Sequence, residues 1–381
     1  MGKITVSNIR NICLAGHSGC GKTSLAEALL YAAGATSRKG SPAEGTSILD
    51  FEEEEKQKKT TMKGAVSFLT WKDVLVHIID LPGYLDFIGE MIGGMSAVET
   101  VFICIDTSAG VKVTTKKVWD LAEQFGAGRV LVLSKIDQNP SDLDKAIEGL
   151  KTAFGDTVVP FFGLEGGNVV PLLPRAKGLG KENEQKANEA LEKVVETDEG
   201  LMEKYLSGEE PKEEEVSRAL KKAIITRQLT PVLMCSAERG TGIKEVLDFI
   251  AFGCPAADGG APKSALKGEE RVEVIPSEDR PFLAQVFKIM TDPYVGKLAY
   301  FRVYAGSFSA GESFVNPRTG KTERVGNLYK IMGKDQKAVE RVSAGELGAI
   351  SKVEEISIGD TMRAADEPLV LERQKFPEPM V

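Results

Sequence analysis

The stretch Gly16-His17-Ser18-Gly19-Cys20-Gly21-Lys22-Thr23 fits the spacing GxxxxGK[ST], and it constrains the fold of this chain more than any other feature. Such a loop works only between a buried strand and the first turn of a helix. There it curls backbone N–H groups around phosphate oxygens and adds the partial positive charge of the helix N-terminus. The flanks agree. Ile9 to Ala15 alternates as a strand should, and Leu25, Ala28, Leu29 and Ala32 form an apolar helical stripe that stops at Gly34. Lys22 is expected to reach the β- and γ-phosphates and the Thr23 hydroxyl to hold Mg²⁺. His17, Ser18, Gly19, Cys20, Gly21 and Ser24 are expected to line the nucleotide.

Two further motifs follow in the order that a nucleotide-binding sheet needs. The apolar run Val74 to Ile79 ends in Asp80-Leu81-Pro82-Gly83, a DxxG. Its Asp can hold a Mg²⁺-bound water, and its Gly N–H can bond the γ-phosphate because no side chain blocks the approach. The strand-like run Val130 to Leu133 ends in Ser134-Lys135-Ile136-Asp137, where most guanine-binding proteins carry Asn-Lys-x-Asp. A carboxylate there accepts from the guanine N1–H and 2-amino group. Adenine offers neither, and the mismatch leaves a buried charge unpaired. After the run Pro231 to Met234, the backbone N–H groups of Cys235-Ser236-Ala237 are expected at the base O6, with Glu238 also at the nucleotide. Together these residues predict GTP or GDP with Mg²⁺ as the bound species.

Composition closes off several classes. At 42% hydrophobic and 27% charged residues over 381 positions, two or three globular domains are expected. No apolar stretch is long enough to span a bilayer and no basic start precedes an apolar run, so a cytoplasmic protein without a signal peptide is expected. Five cysteines without metal-ligand spacing read as reduced thiols. A net charge of −8 argues against nonspecific nucleic-acid coating, yet leaves room for a local basic face. Only His17 and His77 are available for histidine acid–base work.

The expected architecture is an α/β P-loop domain over residues 1–262, a mostly parallel doubly wound sheet with an α+β insertion at about 158–222. An antiparallel β-barrel over 271–366 follows. The charged, aperiodic stretch Ala35 to Lys63 reads as a solvated, mobile loop near the phosphate site. Gly253 to Glu270 reads as a linker, and short runs from Val272 to Ser357, punctuated by glycine, read as barrel strands. Residues 367–381 read as an approach to another domain.

In this order the motifs resemble those of translational GTPases, specifically elongation factor G. Asn11 to His17 with Gly21-Lys22-Thr23 is similar to the family's opening, and Asp80-Leu81-Pro82-Gly83-Tyr84-Leu85-Asp86-Phe87 to its DTPGHxDF. Lys204 to Pro211 resembles its insertion, Asp292 to Tyr304 its second domain, and Glu372 to Pro379 the entry to its third. The resemblance implies a monomer that binds GTP and acts on the ribosome, touching rRNA and ribosomal proteins. It also places Thr61 at the switch-loop threonine that joins Thr23 and Asp80 around Mg²⁺, and gives Lys22, Gly83 and Tyr84 the catalytic positions.

The departures matter. Tyr84 stands where the family has the histidine that orients the attacking water. Unlike an imidazole, a phenol cannot take up a proton to become cationic. Slow hydrolysis is therefore expected. Gly19 replaces a family aspartate that helps bind a monovalent cation, and Ser134 replaces the Asn that ties loops together. Two alternatives stay open: a ribosome-binding switch for regulation, rescue or protection with little hydrolysis, and a P-loop enzyme outside translation that uses ATP or GTP.

Overall fold

Apolar runs buried on both faces make one sheet from the N-terminal part of the chain. Its strands are β1 (Ile9–Gly16), β2 (Ala65–Trp71), β3 (Val74–Asp80), β4 (Thr100–Asp106), β5 (Gly128–Ser134) and β6 (Val158–Pro160). After a separate hairpin of β7 (Phe162–Glu165) and β8 (Asn168–Pro171), β9 (Thr230–Met234) completes it. The order is β2-β3-β1-β4-β5-β9-β6, antiparallel only at β2–β3. β1, β5 and β9 are buried along their whole length, as expected of parallel strands covered on both faces. The structure, a computed structural model, describes residues 4–292 and 296–376.

The helices are α1 (Lys22–Ala32), α2 (Glu53–Lys58), α3 (Ile88–Met95), α4 (Val113–Gln124), α5 (Leu143–Phe154), α6 (Lys181–Val195), α7 (Glu199–Leu206), α8 (Glu213–Ile225) and α9 (Ile243–Gly253). β1, β3, β5 and β9 end at one edge of the sheet, and each motif begins where one of them stops. In open α/β sheets, ligands bind outside these carboxyl ends. α8 runs through position 222 and packs on β5 and α9. The last helix of the expected insertion is thus part of the main layer.

The second module is antiparallel. An eight-stranded sheet has the order β16-β15-β21-β12-β13-β20-β17-β18, from β12 (Leu283–Asp292), β13 (Gly296–Ala305), β15 (Ser313–Asn316), β16 (Lys321–Arg324), β17 (Leu328–Met332), β18 (Asp335–Val339), β20 (Leu347–Ser351) and β21 (Thr361–Arg363). With the ribbon of β14 (Ser307–Ser309) and β19 (Arg341–Ser343), it encloses a core of Phe301, Phe308, Phe314, Val342 and Met362.

Three readings need correction. The stretch from 35 to 63 exposes Glu53, Glu54, Lys58 and Lys59 as a solvated charge run should, but it is anchored: Leu49, Asp50 and Glu55 are buried, and at the start of α2 Glu52 N–H donates to Glu55 Oε2 at 3.2 Å. Glu55 Oε1 then takes the N–H groups of Met62 and Lys63. Within 253–270, Lys263–Lys267 is a strand (β10) paired with β11 (Glu270–Val274) and with β22 (Val370–Leu371), because Ala265, Val274 and Leu371 share a small core. Ser357 lies in a loop, and the strand comes at β21. Pro293-Tyr294-Val295 and Pro377-Glu378-Pro379, parts of two family-like segments, lie outside the described residues.

The modules meet over a buried polar seam. Asn11 Nδ2 donates to Glu99 Oε2 at 2.9 Å and to Gly345 O at 3.0 Å, while Arg302 from β13 pairs with Glu99. Lys288 from β12 pairs with Glu90 of α3. All five cysteines are buried and unpaired. No helix among the described residues is long and apolar enough to cross a membrane.

Candidate functional site

The loop after β1 is shaped by its glycines. A Cβ on Gly16 would lie 2.3 Å from Cys104 O of β4, so only glycine lets the chain leave the strand there. Gly21, at φ +88°, caps α1 in the left-handed region. Lys22 is buried, and its ammonium donates to Gly16 O at 3.1 Å and His17 O at 3.0 Å, spanning the loop mouth. His17 Nδ1 lies 3.2 Å from Thr114 Oγ1. Ser18 and Ser24 are partly buried, Gly19 is exposed and Cys20 is buried.

The DxxG turn closes on this loop. A Cβ on Gly83 would lie 2.5 Å from Ser18 N and 2.7 Å from Lys22 Nζ, so the glycine backbone sits directly against the phosphate loop. Tyr84 follows, 44% exposed, with its backbone extended. Below them Thr23 Oγ1 donates to Asp80 Oδ2 at 2.7 Å and lies 3.0 Å from Thr61 Oγ1, which donates to Asp50 Oδ1 at 2.8 Å.

That cluster suits a hard divalent cation. Its donors are all oxygen, and Asp80 Oδ1 is buried without a hydrogen-bond partner. Burial, with Asp50 nearby, pushes the Asp80 carboxyl up to about 8, and burial pushes Asp50 up to about 6. A cation would remove both penalties. One or two carboxylates plus nucleotide phosphates are the usual Mg²⁺ ligands, so Mg²⁺ fits the residues present.

The base end is tied to the phosphate end. Ser134 Oγ is within hydrogen-bond reach of two carbonyls, Cys20 O at 2.7 Å and Ile105 O at 3.1 Å, so it bridges the phosphate loop and β4. Lys135, at φ +57°, pairs with Asp106 at 2.8 Å. Asp137 Oδ2 lies 3.4 Å from Arg239 Nε. Ser236 Oγ accepts from Arg239 N, and Lys39 Nζ holds the carbonyls of Ala237 and Glu238 at 3.0 and 2.9 Å. The predicted site residues thus converge on the sheet's carboxyl edge.

Comparison with known proteins agrees with this geometry. The family of the elongation factor Tu GTP-binding domain matches residues 7–256, and that of elongation factor G domain 2 matches residues 281–365. The chain belongs to the elongation factor G-like translational GTPases. A crystal structure of a protein from Thermus thermophilus superposes with a TM-score of 0.82 at 33% identity, covering 94% of this chain and 55% of that protein. The chain therefore spans little more than half of that protein's length.

Sequence reading missed Asp50, Lys39 and Arg239. Asp50 had a signal, since a carboxylate flanked by Ile48, Leu49 and Phe51 is out of place in a solvated charge run. Lys39 and Arg239 had none, because each acts on a loop distant in sequence.

Proposed function

We propose that this GTPase binds GTP with Mg²⁺, acts on the ribosome as a cytoplasmic monomer, and hydrolyses GTP slowly. Lys22 and the amides of 17–24 bind the phosphates. Gly83, pressed against Ser18 and Lys22, offers its N–H to the γ-phosphate, and Asp137 reads guanine with Lys135, Ser236, Ala237 and Glu238 around the base. Thr23, Thr61 and Asp80, joined by Asp50, would hold Mg²⁺. When bound, the ion neutralises charge that develops on the phosphate oxygens.

The observation that carries the slow turnover is Tyr84 directly after the DxxG turn, where the resemblance to elongation factor G implies a histidine. Its phenol can exchange a hydrogen bond with water but cannot take up a proton to become cationic. Loss of a positioned proton-handling group costs ~10²–10⁴ in rate, about 3–5 kcal/mol of barrier. The same observation favours a second reading, a GTP-dependent ribosome binder for regulation or protection with negligible hydrolysis.

The test is GTP hydrolysis by the full-length gene product with and without ribosomes at saturating Mg²⁺. GTP-dependent ribosome binding with slow turnover is the expected result. Strong ribosome stimulation would mean that another group has replaced the histidine.

A further inference from the structure

The loop that carries Asp50 and Thr61 is held from within by a residue that belongs to no motif. Glu27 lies one turn beyond Thr23 on α1 and is fully buried. Its Oε1 accepts from Ser47 Oγ at 2.6 Å, Ile48 N at 2.7 Å and Leu49 N at 3.4 Å, and its Oε2 from Gly40 N at 3.2 Å. These partners are all neutral donors of one loop. A buried carboxylate is costly unless such bonds compensate it, and charge-assisted bonds are the strong ones.

The bonds continue toward the site. Ser47 Oγ accepts from Leu49 N at 3.1 Å and Asp50 N at 3.2 Å, so the residue bonded to Glu27 also fixes the backbone of Asp50. Gly40 is required for the approach, since a Cβ there would lie 2.4 Å from Glu27 Oε2. On the outer side, the β17–β18 turn presses on the same segment: a Cβ on Gly333 would lie 2.0 Å from Ile48 O. The segment is clamped between α1 and the second module.

We propose that Glu27 is the positioning residue of the magnesium–nucleotide site, fixing residues 40–50 against α1 so that Asp50 and Thr61 converge on Thr23 and Asp80. The inference rests on the reading of those groups as the Mg²⁺ cradle. Because α1 begins at Lys22 and Thr23, one helix sets both the phosphate contacts and the position of the incoming loop. A diphosphate held by the phosphate loop and Asp137 depends little on that loop, whereas a triphosphate with Mg²⁺ depends on it directly. Glu27 therefore controls affinity for the triphosphate with Mg²⁺, and through it the discrimination between the two.

The experiment measures binding of fluorescent GDP and of a fluorescent non-hydrolysable GTP analogue to the 381-residue chain, with and without Mg²⁺. Wild type, Glu27→Gln and Ser47→Ala are compared. In Glu27→Gln the new amide faces N–H donors, so analogue binding in Mg²⁺ weakens about tenfold and GDP binding changes less than about twofold. The half-saturating Mg²⁺ concentration rises with it. Ser47→Ala shifts the ratio in the same direction by a smaller factor, and decides the matter alone if Glu27→Gln does not fold. Equal losses for both nucleotides, or an unchanged ratio, overturn the inference. A wild-type chain without Mg²⁺-dependent analogue binding overturns the underlying reading, and this inference with it.

Discussion

Arg302 and Glu99 form an ion pair in which both side chains are 4% exposed, and it joins the second module to the sheet that carries the nucleotide site. Arg302 Nη1 also donates to Ala97 O at 3.1 Å, and burial pushes the Glu99 carboxyl up while Arg302 opposes that rise. Removing one partner strands a buried charge. Arg302→Met should cost about 3–5 kcal/mol, and Glu99→Leu added to it should recover most of that. Urea unfolding of wild type, single and double variants checks this; additive losses would show that the pair is uncoupled.

His77 gives the fold a pH dependence of known sign. It is buried, with Nδ1 2.8 Å from Asn11 Oδ1 and Nε2 without a hydrogen-bond partner. Burial, with Lys330 and Arg302 adding to it, holds the imidazole well below its ordinary pKa of 6.5. The folded chain keeps it neutral while the unfolded chain protonates it. This contribution to stability is present above about pH 6.5 and is lost as pH falls toward the depressed folded value, by up to about 1.4 kcal/mol per pH unit. Urea midpoints between about pH 7.5 and 5.5 should fall in wild type and fall less steeply in His77→Gln.

Tyr84→His should raise ribosome-stimulated turnover on the order of 10²-fold, since it supplies a proton-handling group beside Gly83. Single-turnover hydrolysis on ribosomes measures it. An unchanged rate would place the limit elsewhere than the water.

Asp137→Asn should move base preference from guanine toward xanthine, because an amide donates to the xanthine 2-oxo group where the carboxylate accepted from the guanine amine. Competition between GDP and xanthosine diphosphate for the chain decides this. Undiminished guanine preference would remove Asp137 from the base contact.

Much of this site was legible because its residues recur at fixed local spacing. The motifs that carry Lys22, Asp80 and Asp137 each begin where a buried strand ends, and alternation or an apolar run marks those strands. The rest is held by pairs far apart in the chain, such as Glu27 with Ser47 and Lys39 with Ala237, which no local period announces. The strand at Lys263–Lys267 was hidden for a similar reason. Its composition reads as linker, and it pairs with the distant segment Val370–Leu371 to bury Ala265 and Leu371.

The burial of every cysteine makes the native chain a quiet background for site-directed labelling. Burial pushes the thiols of Cys235 and Cys254 up to about 12, which suppresses the reactive thiolate as well as access to it. A cysteine installed at exposed Leu206 and another at exposed Lys334 would then take dyes alone. Energy transfer between them would report, in real time, how far the end of α7 stands from the β17–β18 turn as nucleotide is exchanged.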